Sequence, residues 1–346
     1  MTNINDRPLI FLIGSTGFVG GSVFGHLYNL KSYRFILLVR SKEKAEKLSK
    51  MEGIEAIVGS FDDVNLITDA AHRADLVIEA ASSDTLEEAK AIVAGLKKRY
   101  DERQKPSLYI QTSGSQILDE DVRGTRPSDY IYQDEDNDKL NSLPVTQPHR
   151  HVDTFLIEES QKNYFKLVLM CPPTIYGEGL GPKDISAVRS QQVPTMIRAA
   201  LKHRQAQQVG QGLSVWSNVN VSDLVLLYQV IVEKLLHGQE IPINREGYYF
   251  ATTGVHTWNQ LARAIAARLK ALGAVDSEEI RDNNDEDSVE KAFGDKKAVG
   301  YLGSNSRSNG TKGEKIGWQK NPASQGLWDY VDWECERMAR EAKETK

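Results

Sequence analysis

Short β-branched runs alternate with helical patterns through the first half of the chain, the order expected of a parallel sheet with crossover helices. Residues 9–13, Leu-Ile-Phe-Leu-Ile, form the first apolar run. A glycine-rich turn follows, then a helical pattern with Phe18, Val19, Val23, Phe24 and Leu27 on one side. Residues 35–39, 54–58, 76–80, 107–112 and 165–171 are predicted as the second to sixth strands. Ser41 is placed to cap a short charged helix through Met51. Thr85-x-x-Glu88 matches a capping box, and behind it Leu86, Ala89, Ile92, Val93 and Leu96 recur at helical spacing.

Between the last two strands lies a polar excursion, 114–148, rich in Asp, Pro and Ser. Loops of this length are uncommon unless they serve a function, and the lack of apolar anchors predicts a mobile lid that orders over the site when ligand binds. Beyond Pro172 the alternation stops. Helices are predicted at 193–203, 223–237 and 257–272, the last opened by a second box, Thr257-x-x-Gln260, and a terminal amphipathic helix at 327–343. The acidic run 282–287 is expected to be solvated loop. The simplest division is a nucleotide-type domain over 1–176, including the lid-like loop, and a smaller lobe over 177–346, with the chain returning to the first domain around 209–237.

Composition narrows the class. The 346 residues carry 43 basic and 48 acidic side chains, a net charge of −5, which argues against a nucleic-acid partner. Hydrophobic residues make up 40% of the chain, yet no stretch approaches the roughly 20 apolar residues a membrane helix needs. The opening Met-Thr-Asn-Ile-Asn-Asp-Arg has no basic-then-apolar signal pattern. Two cysteines, Cys171 and Cys335, exclude a disulfide framework, and the histidines lack metal-ligand spacing. A cytoplasmic protein acting on a small molecule, with no nucleic-acid, membrane or metal partner, is the expectation.

Gly14-Ser15-Thr16-Gly17-Phe18-Val19-Gly20 follows a strand and opens a helix. Such a turn lets backbone N–H groups at a helix start face a pyrophosphate. The second strand then ends in Arg40-Ser41, where an acidic residue would favour a ribose 2′-hydroxyl and a basic one a 2′-phosphate. Arg40 offers a planar fork and Ser41 a hydroxyl, so NADP(H) is the expected cofactor. Lys42 and Lys44 are expected on a solvated helix face.

The glycine spacing resembles that of extended short-chain dehydrogenases/reductases and their NAD-dependent epimerase/dehydratase relatives. Val58-Gly59-Ser60-Phe61, Ala80-Ala81-Ser82, Pro172-Pro173-Thr174-Ile175-Tyr176-Gly177 and Ile316-Gly317-Trp318-Gln319-Lys320 resemble further family segments, so the likeness spans nearly the whole chain. It implies an α/β fold, a Rossmann-type doubly wound parallel sheet with a smaller C-terminal α/β substrate lobe. It also implies cofactor contacts from Gly14, Thr16, Gly17, Phe18, Val19, Gly20, Arg40, Ser41, Ser60, Phe61, Ala80, Ala81, Ser82, Thr112, Pro173, Thr174 and Ile175, and it allows a homodimer.

One departure concerns the chemistry. The family's Tyr-x-x-x-Lys is absent from the helix before the sixth strand, which begins Pro148-His149-Arg150-His151-Val152-Asp153. After the fifth strand, Gln111-Thr112-Ser113-Gly114-Ser115 puts a glycine where the resemblance implies a hydroxyl, leaving Ser113 or Ser115. His149 and Asp153 have the spacing of the missing pair, so an imidazole held by Asp153 is one expected proton donor; a slip of one residue would bring Arg150 and Thr154 forward instead. Tyr176 is a spare donor, and Cys171 is expected to be a buried small hydrophobe. Arg189 and Arg198 are expected in surface salt bridges, with an anionic substrate as the other use. Three functions follow: an NADP(H)-dependent oxidoreductase acting on a small carbonyl or alcohol, a non-catalytic NADP(H)-sensing regulator, or a nucleotide-sugar epimerase or dehydratase.

Overall fold

The computed structural model describes residues 4–344. From its start, β1 (Leu9–Ile13), α1 (Phe18–Asn29), β2 (Arg34–Val39), α2 (Lys42–Leu48), β3 (Ile54–Val58), α3 (Val64–Arg73), β4 (Leu76–Glu79), α4 (Leu86–Arg103) and β5 (Ser107–Thr112) alternate strictly. Next come β6 (Tyr132–Gln133), α5 (Asn137–Asn141), α6 (Arg150–Ser160), β7 (Phe165–Met170), β8 (Thr174–Tyr176), α7 (Gln192–His203) and β9 (Ala206–Val209). They are followed by β10 (Val215–Asn220), α8 (Val221–Leu236), β11 (Tyr248–Tyr249), β12 (Gly254–Thr257), α9 (Trp258–Ala271) and β13 (Ile280–Asn283). The chain then runs through α10 (Glu286–Phe293), α11 (Ala298–Gly303), β14 (Ser308–Asn309), α12 (Lys312–Lys315) and α13 (Leu327–Glu344).

The central sheet is seven-stranded and parallel, in the order β11-β7-β5-β4-β1-β2-β3. Helices cover both faces, which is why β1 is an unbroken apolar run rather than an alternating one. Phe11, Ile13, Val77 and Tyr109 pack with residues of α3, α4 and α6 on one side. Ile10, Leu12, Phe35 and Ile78 pack with α1 and α8 on the other. The return of α8 from the second half is secured by His26 Nε2 and Gln229 Oε1, 2.6 Å apart. Trp318, from the family-like C-terminal segment, donates its indole N–H to the Asp223 carbonyl at the start of α8 (2.9 Å). A third core, built on α7, α9 and α13, fills the smaller lobe. The fold is thus a Rossmann-type doubly wound α/β sheet with a smaller C-terminal lobe. Strand order reverses at β1, with β2 on one flank and β4 on the other, and a ligand crevice opens beyond the carboxyl ends of strands at such a point.

Three expectations are corrected. The 114–148 excursion is a packed strut, not a lid held down by nothing. Ile117, Leu118 and Leu140 are buried, and β6 pairs in parallel with β14. Buried Asp134 accepts N–H bonds from Thr311 (3.0 Å) and Lys312 (3.3 Å), so its polarity is satisfied internally. The acidic run 282–287 is not loop: β13 pairs in parallel with β9, and Asp285 accepts the Ser288 N–H (2.8 Å) to start α10. Thr85 does sit at the N-cap of α4, but its hydroxyl turns to Ser82 Oγ (2.7 Å), and Glu88 points into the interior with no partner for either carboxyl oxygen. The Thr257–Gln260 box forms with both bonds, at 3.1 and 2.9 Å.

Candidate functional site

A cavity of about 810 Å³ extends over the crevice, with residues from the ends of β1, β2, β4 and β5 along one part and residues of the smaller lobe along another. The glycine turn builds its wall. Gly14 has φ +96°, and a Cβ there would lie 2.6 Å from the Ala80 carbonyl oxygen, so the position demands glycine. A Cβ on Gly17 would meet only the Gly14 oxygen, at 3.2 Å, which leaves its other side open. Gly20 does a different job from the one expected: a Cβ there would lie 2.4 Å from the Gly14 carbonyl oxygen, so its absence lets α1 pack on Gly14, and it does not line the cavity. No side chain caps α1, so its first N–H groups are free to meet an anion beside Thr16, Phe18 and Val19. The segment after β8 clamps the turn from the lobe side, with Ala187 N–H on the Thr16 carbonyl (3.0 Å) and Ser186 Oγ on the Ser15 carbonyl (2.7 Å).

Arg40, Gly59 and Phe61 line the region next to β2 and β3. Arg40 is exposed and has no acidic partner among the described residues. The Ser41 hydroxyl accepts the Lys44 N–H (3.3 Å) as the cap of α2, which leaves its own O–H to donate. Lys44 is not idle at a solvated face, since its Nζ bonds the Ile185 carbonyl (2.6 Å). Ser60 is turned away: Asp63 Oδ2 accepts both its N–H (2.6 Å) and its hydroxyl (3.2 Å). Ala80, Ala81 and Ser83 line the floor, whereas Ser82 faces Thr85. Glu79, buried beneath, holds this loop by accepting the N–H groups of Ala81 and Ser82, both at 2.7 Å. Pro173 and Ile175 line the cavity, but Thr174 is buried outside it with its hydroxyl unpartnered.

Thr112, Ser113, Gly114, Ser115 and His149 meet at one place in the cavity wall. His149 precedes α6 at φ +67°, outside the helix, so four-residue helical spacing does not place it over Asp153. That expected pair is corrected. Asp153 is fully buried and instead accepts a bond from Ser113 Oγ (2.8 Å); burial pushes its carboxyl up to about 6, against the pull of that bond. The partner of His149 is Asp84, whose Oδ1 lies 2.9 Å from Nδ1. This bond, with the nearby imidazole charge, holds the Asp84 carboxyl below its ordinary range. A carboxylate only accepts, so Nδ1 carries a proton and Nε2 is left for exchange. Nε2 lies over Gly114, where a Cβ would come within 3.2 Å, so glycine at the hydroxyl position makes room for the imidazole. Ser115 is buried but borders the cavity, with Ser306 Oγ 2.8 Å from its own. Arg150 turns inward to the Tyr248 hydroxyl (2.5 Å). Tyr176 packs at a tilt against Tyr330 and is not among the cavity-lining residues, while burial pushes its phenol up to about 12.

Open N–H groups at α1, an unfilled face at Gly17, an apolar floor at Ala80 and Ala81 and a free guanidinium at Arg40 together fit a dinucleotide. Residues 14–136 match the family model described as NAD(P)H-binding. UDP-glucose 4-epimerase of Thermotoga maritima superposes with a TM-score of 0.64 at 15% identity, over 96% of this chain and 99% of that one. The N-terminal part of this chain thus resembles an NAD(P)H-binding domain, in a chain with the Rossmann-type fold of that structure. The chain also superposes on the dTDP-glucose 4,6-dehydratase DesIV of Streptomyces venezuelae, solved with NAD bound, with a TM-score of 0.65 at 13% identity over 97% and 98% of the two chains. It is 27% identical to the oxidase ucsJ of an Acremonium species over 286 residues, 78% of this chain and 81% of that one.

Asp84, Ser83, Gln116, Trp216 and Tyr301 escaped sequence reasoning because they lie on loops or lobe elements with no periodic signal. Asp84 had one trace: it sits just after the small-residue end of the fourth strand, beside the cofactor floor.

Proposed function

We propose that the protein is an NADP(H)-dependent oxidoreductase acting on a small organic carbonyl or alcohol, with His149 in the place of the family tyrosine. The observation that carries this reading is the Asp84–His149 pair, with Nε2 over Gly114 and with His149, Gly114, Ser113 and Ser115 all lining the cavity. The dinucleotide would be held by the α1 N-terminus, the Ala80–Ala81 floor and Pro173, with Arg40 and Ser41 toward a 2′-phosphate. When bound, the nicotinamide exchanges a hydride with the substrate carbon. His149 Nε2 gives a proton to the carbonyl oxygen in reduction, or takes the hydroxyl proton in oxidation. Asp84 accepts from Nδ1 and so fixes the ring orientation and the tautomer. Ser115 can donate its hydroxyl to the same oxygen, while Ser113 is held by Asp153.

The test is NADPH consumption against a panel of aldehydes, ketones and sugar nucleotides. Turnover with small carbonyl compounds is the expected result. Tight NADPH binding with no turnover would overturn the proposal in favour of a sensor, and turnover confined to sugar nucleotides would overturn it in favour of an epimerase or dehydratase.

A further inference from the structure

Past Ser115 the cavity continues into the smaller lobe, and its charge there is unbalanced. No Asp or Glu lines it, whereas Arg189 and Arg198 both do. The charge of Arg189 is already used. Its Nε meets Glu334 Oε1 at 2.7 Å and its Nη2 meets Glu341 at 2.5 Å. Arg337 joins the same cluster through Glu334 (2.5 Å) and Glu178 (3.5 Å), giving two guanidiniums against three carboxylates. Arg198 is different. It is exposed and has no hydrogen bond or ion pair among the described residues. It projects from α7, whose N-terminus has no side-chain cap and whose Gln192 and Thr195 line the same region. The surface-salt-bridge expectation therefore holds for Arg189, which also borders the cavity, and fails for Arg198.

Two aromatic side chains lie along the same stretch. Trp216 is fixed by its indole N–H on the Ser304 carbonyl (2.7 Å), and it bridges to Ser306, the residue that touches Ser115. The Tyr301 hydroxyl is engaged by Asp295 (3.2 Å) and its carbonyl by Gln192 (2.9 Å). With their polar ends occupied, both rings offer apolar surface to a ligand stem.

We infer that the substrate is a small organic monocarboxylate: its acid group pairs with Arg198, its apolar or unsaturated stem lies against Trp216 and Tyr301, and its carbonyl or hydroxyl reaches His149. This rests on the oxidoreductase reading above. One free guanidinium balances one negative charge, and its planar fork matches a carboxylate. A diphosphate would bring at least two charges to that one free cation. Size agrees, because a single drug-sized ligand commonly fills about 300–1,000 Å³, and here 810 Å³ is shared with a dinucleotide.

The experiment is calorimetric titration of the NADP⁺-loaded protein with benzoate, cinnamate and hexanoate, each against its amide, and with UDP and inorganic phosphate. Wild type is compared with Arg198→Gln and Arg198→Lys, which alter only an exposed side chain. At least one acid should bind at least tenfold more tightly than its amide, lose that advantage in Arg198→Gln and regain part of it in Arg198→Lys, with NADP⁺ affinity unchanged. Acids that bind no better than their amides, or acid binding that Arg198→Gln leaves intact, would overturn the inference. So would Arg198-dependent binding of UDP or phosphate stronger than that of every acid. This readout needs no turnover, so its failure is separable from a failure of the NADPH-consumption test.

Discussion

Replacing Glu88 by Gln should stabilise the protein, and more so as pH rises. Glu88 lies on α4 with 1% of its surface exposed, and neither carboxyl oxygen has a partner. Burial first, and the neighbouring Glu79 charge second, push its carboxyl from an ordinary 4.5 to about 9. Glu79 is pushed to about 8 by burial, but three N–H donors, from Ala81, Ser82 and Gln111, oppose that shift. Glu88 has no such donors, so the proton of the pair rests there. Because the folded pKa is the higher one, the unfolded chain gives up its proton first. The contribution of Glu88 to stability is therefore greatest at low pH and falls from about 4.5 toward 9 by about 1.4 kcal/mol per pH unit, or on the order of 3 kcal/mol by pH 7. Gln keeps the shape and never titrates. The variant should gain on the order of 3 kcal/mol at pH 7 and below about 1 kcal/mol at pH 5. At about 2 °C per kcal/mol for a chain of this size, the rise in Tm near neutrality is about 6 °C. Thermal melts followed by circular dichroism at pH 5, 7 and 8 measure it. A Tm that does not rise, or a gain independent of pH, would refute the reasoning.

Other consequences are equally direct. Arg40→Asp should reverse a preference for NADPH over NADH of roughly tenfold, since one exposed charge-assisted contact contributes about 1.5 kcal/mol; fluorescence titration of both cofactors reads it, and equal affinities in the parent protein would remove the 2′-phosphate role. Asp84→Asn should slow the chemical step and change its pH profile while NADPH affinity holds, because the ring loses its orienting carboxylate but the floor of the cofactor site is untouched; an unaltered profile would leave Asp84 a surface partner.

Much of the fold was legible because its signals are local. The runs at 9–13, 54–58 and 107–112 coincide with β1, β3 and β5. Burial on both faces makes the pattern of β1 continuous, the edge strand β3 keeps a β-branched run although it is partly exposed, and both ends of the Thr257 box lie within one helical turn. What escaped depended on contacts distant in sequence. Thr85 and Glu88 match a box, yet tertiary burial takes Glu88 inward and Ser82 takes the hydroxyl. The acids of 282–287 conceal a strand whose partner lies more than 70 residues earlier. In the site, residue types were readable but pairings were not. A left-handed residue at position 149 breaks the helical phase that would have joined His149 to Asp153, and brings it to Asp84 from another loop. Arg198 looked like any surface arginine, because only the fold shows that its neighbours in the cavity carry no negative charge.

The central claim is that the His149 imidazole moves the proton. Single-turnover oxidation of bound NADPH by a carbonyl substrate from the panel, compared between wild type and His149→Gln, addresses it most directly. Loss of about 10²–10⁴-fold in the rate of the chemical step, with NADPH affinity unchanged, is the predicted result. A variant that turns over at the full rate would contradict it and leave His149 as the residue that starts α6.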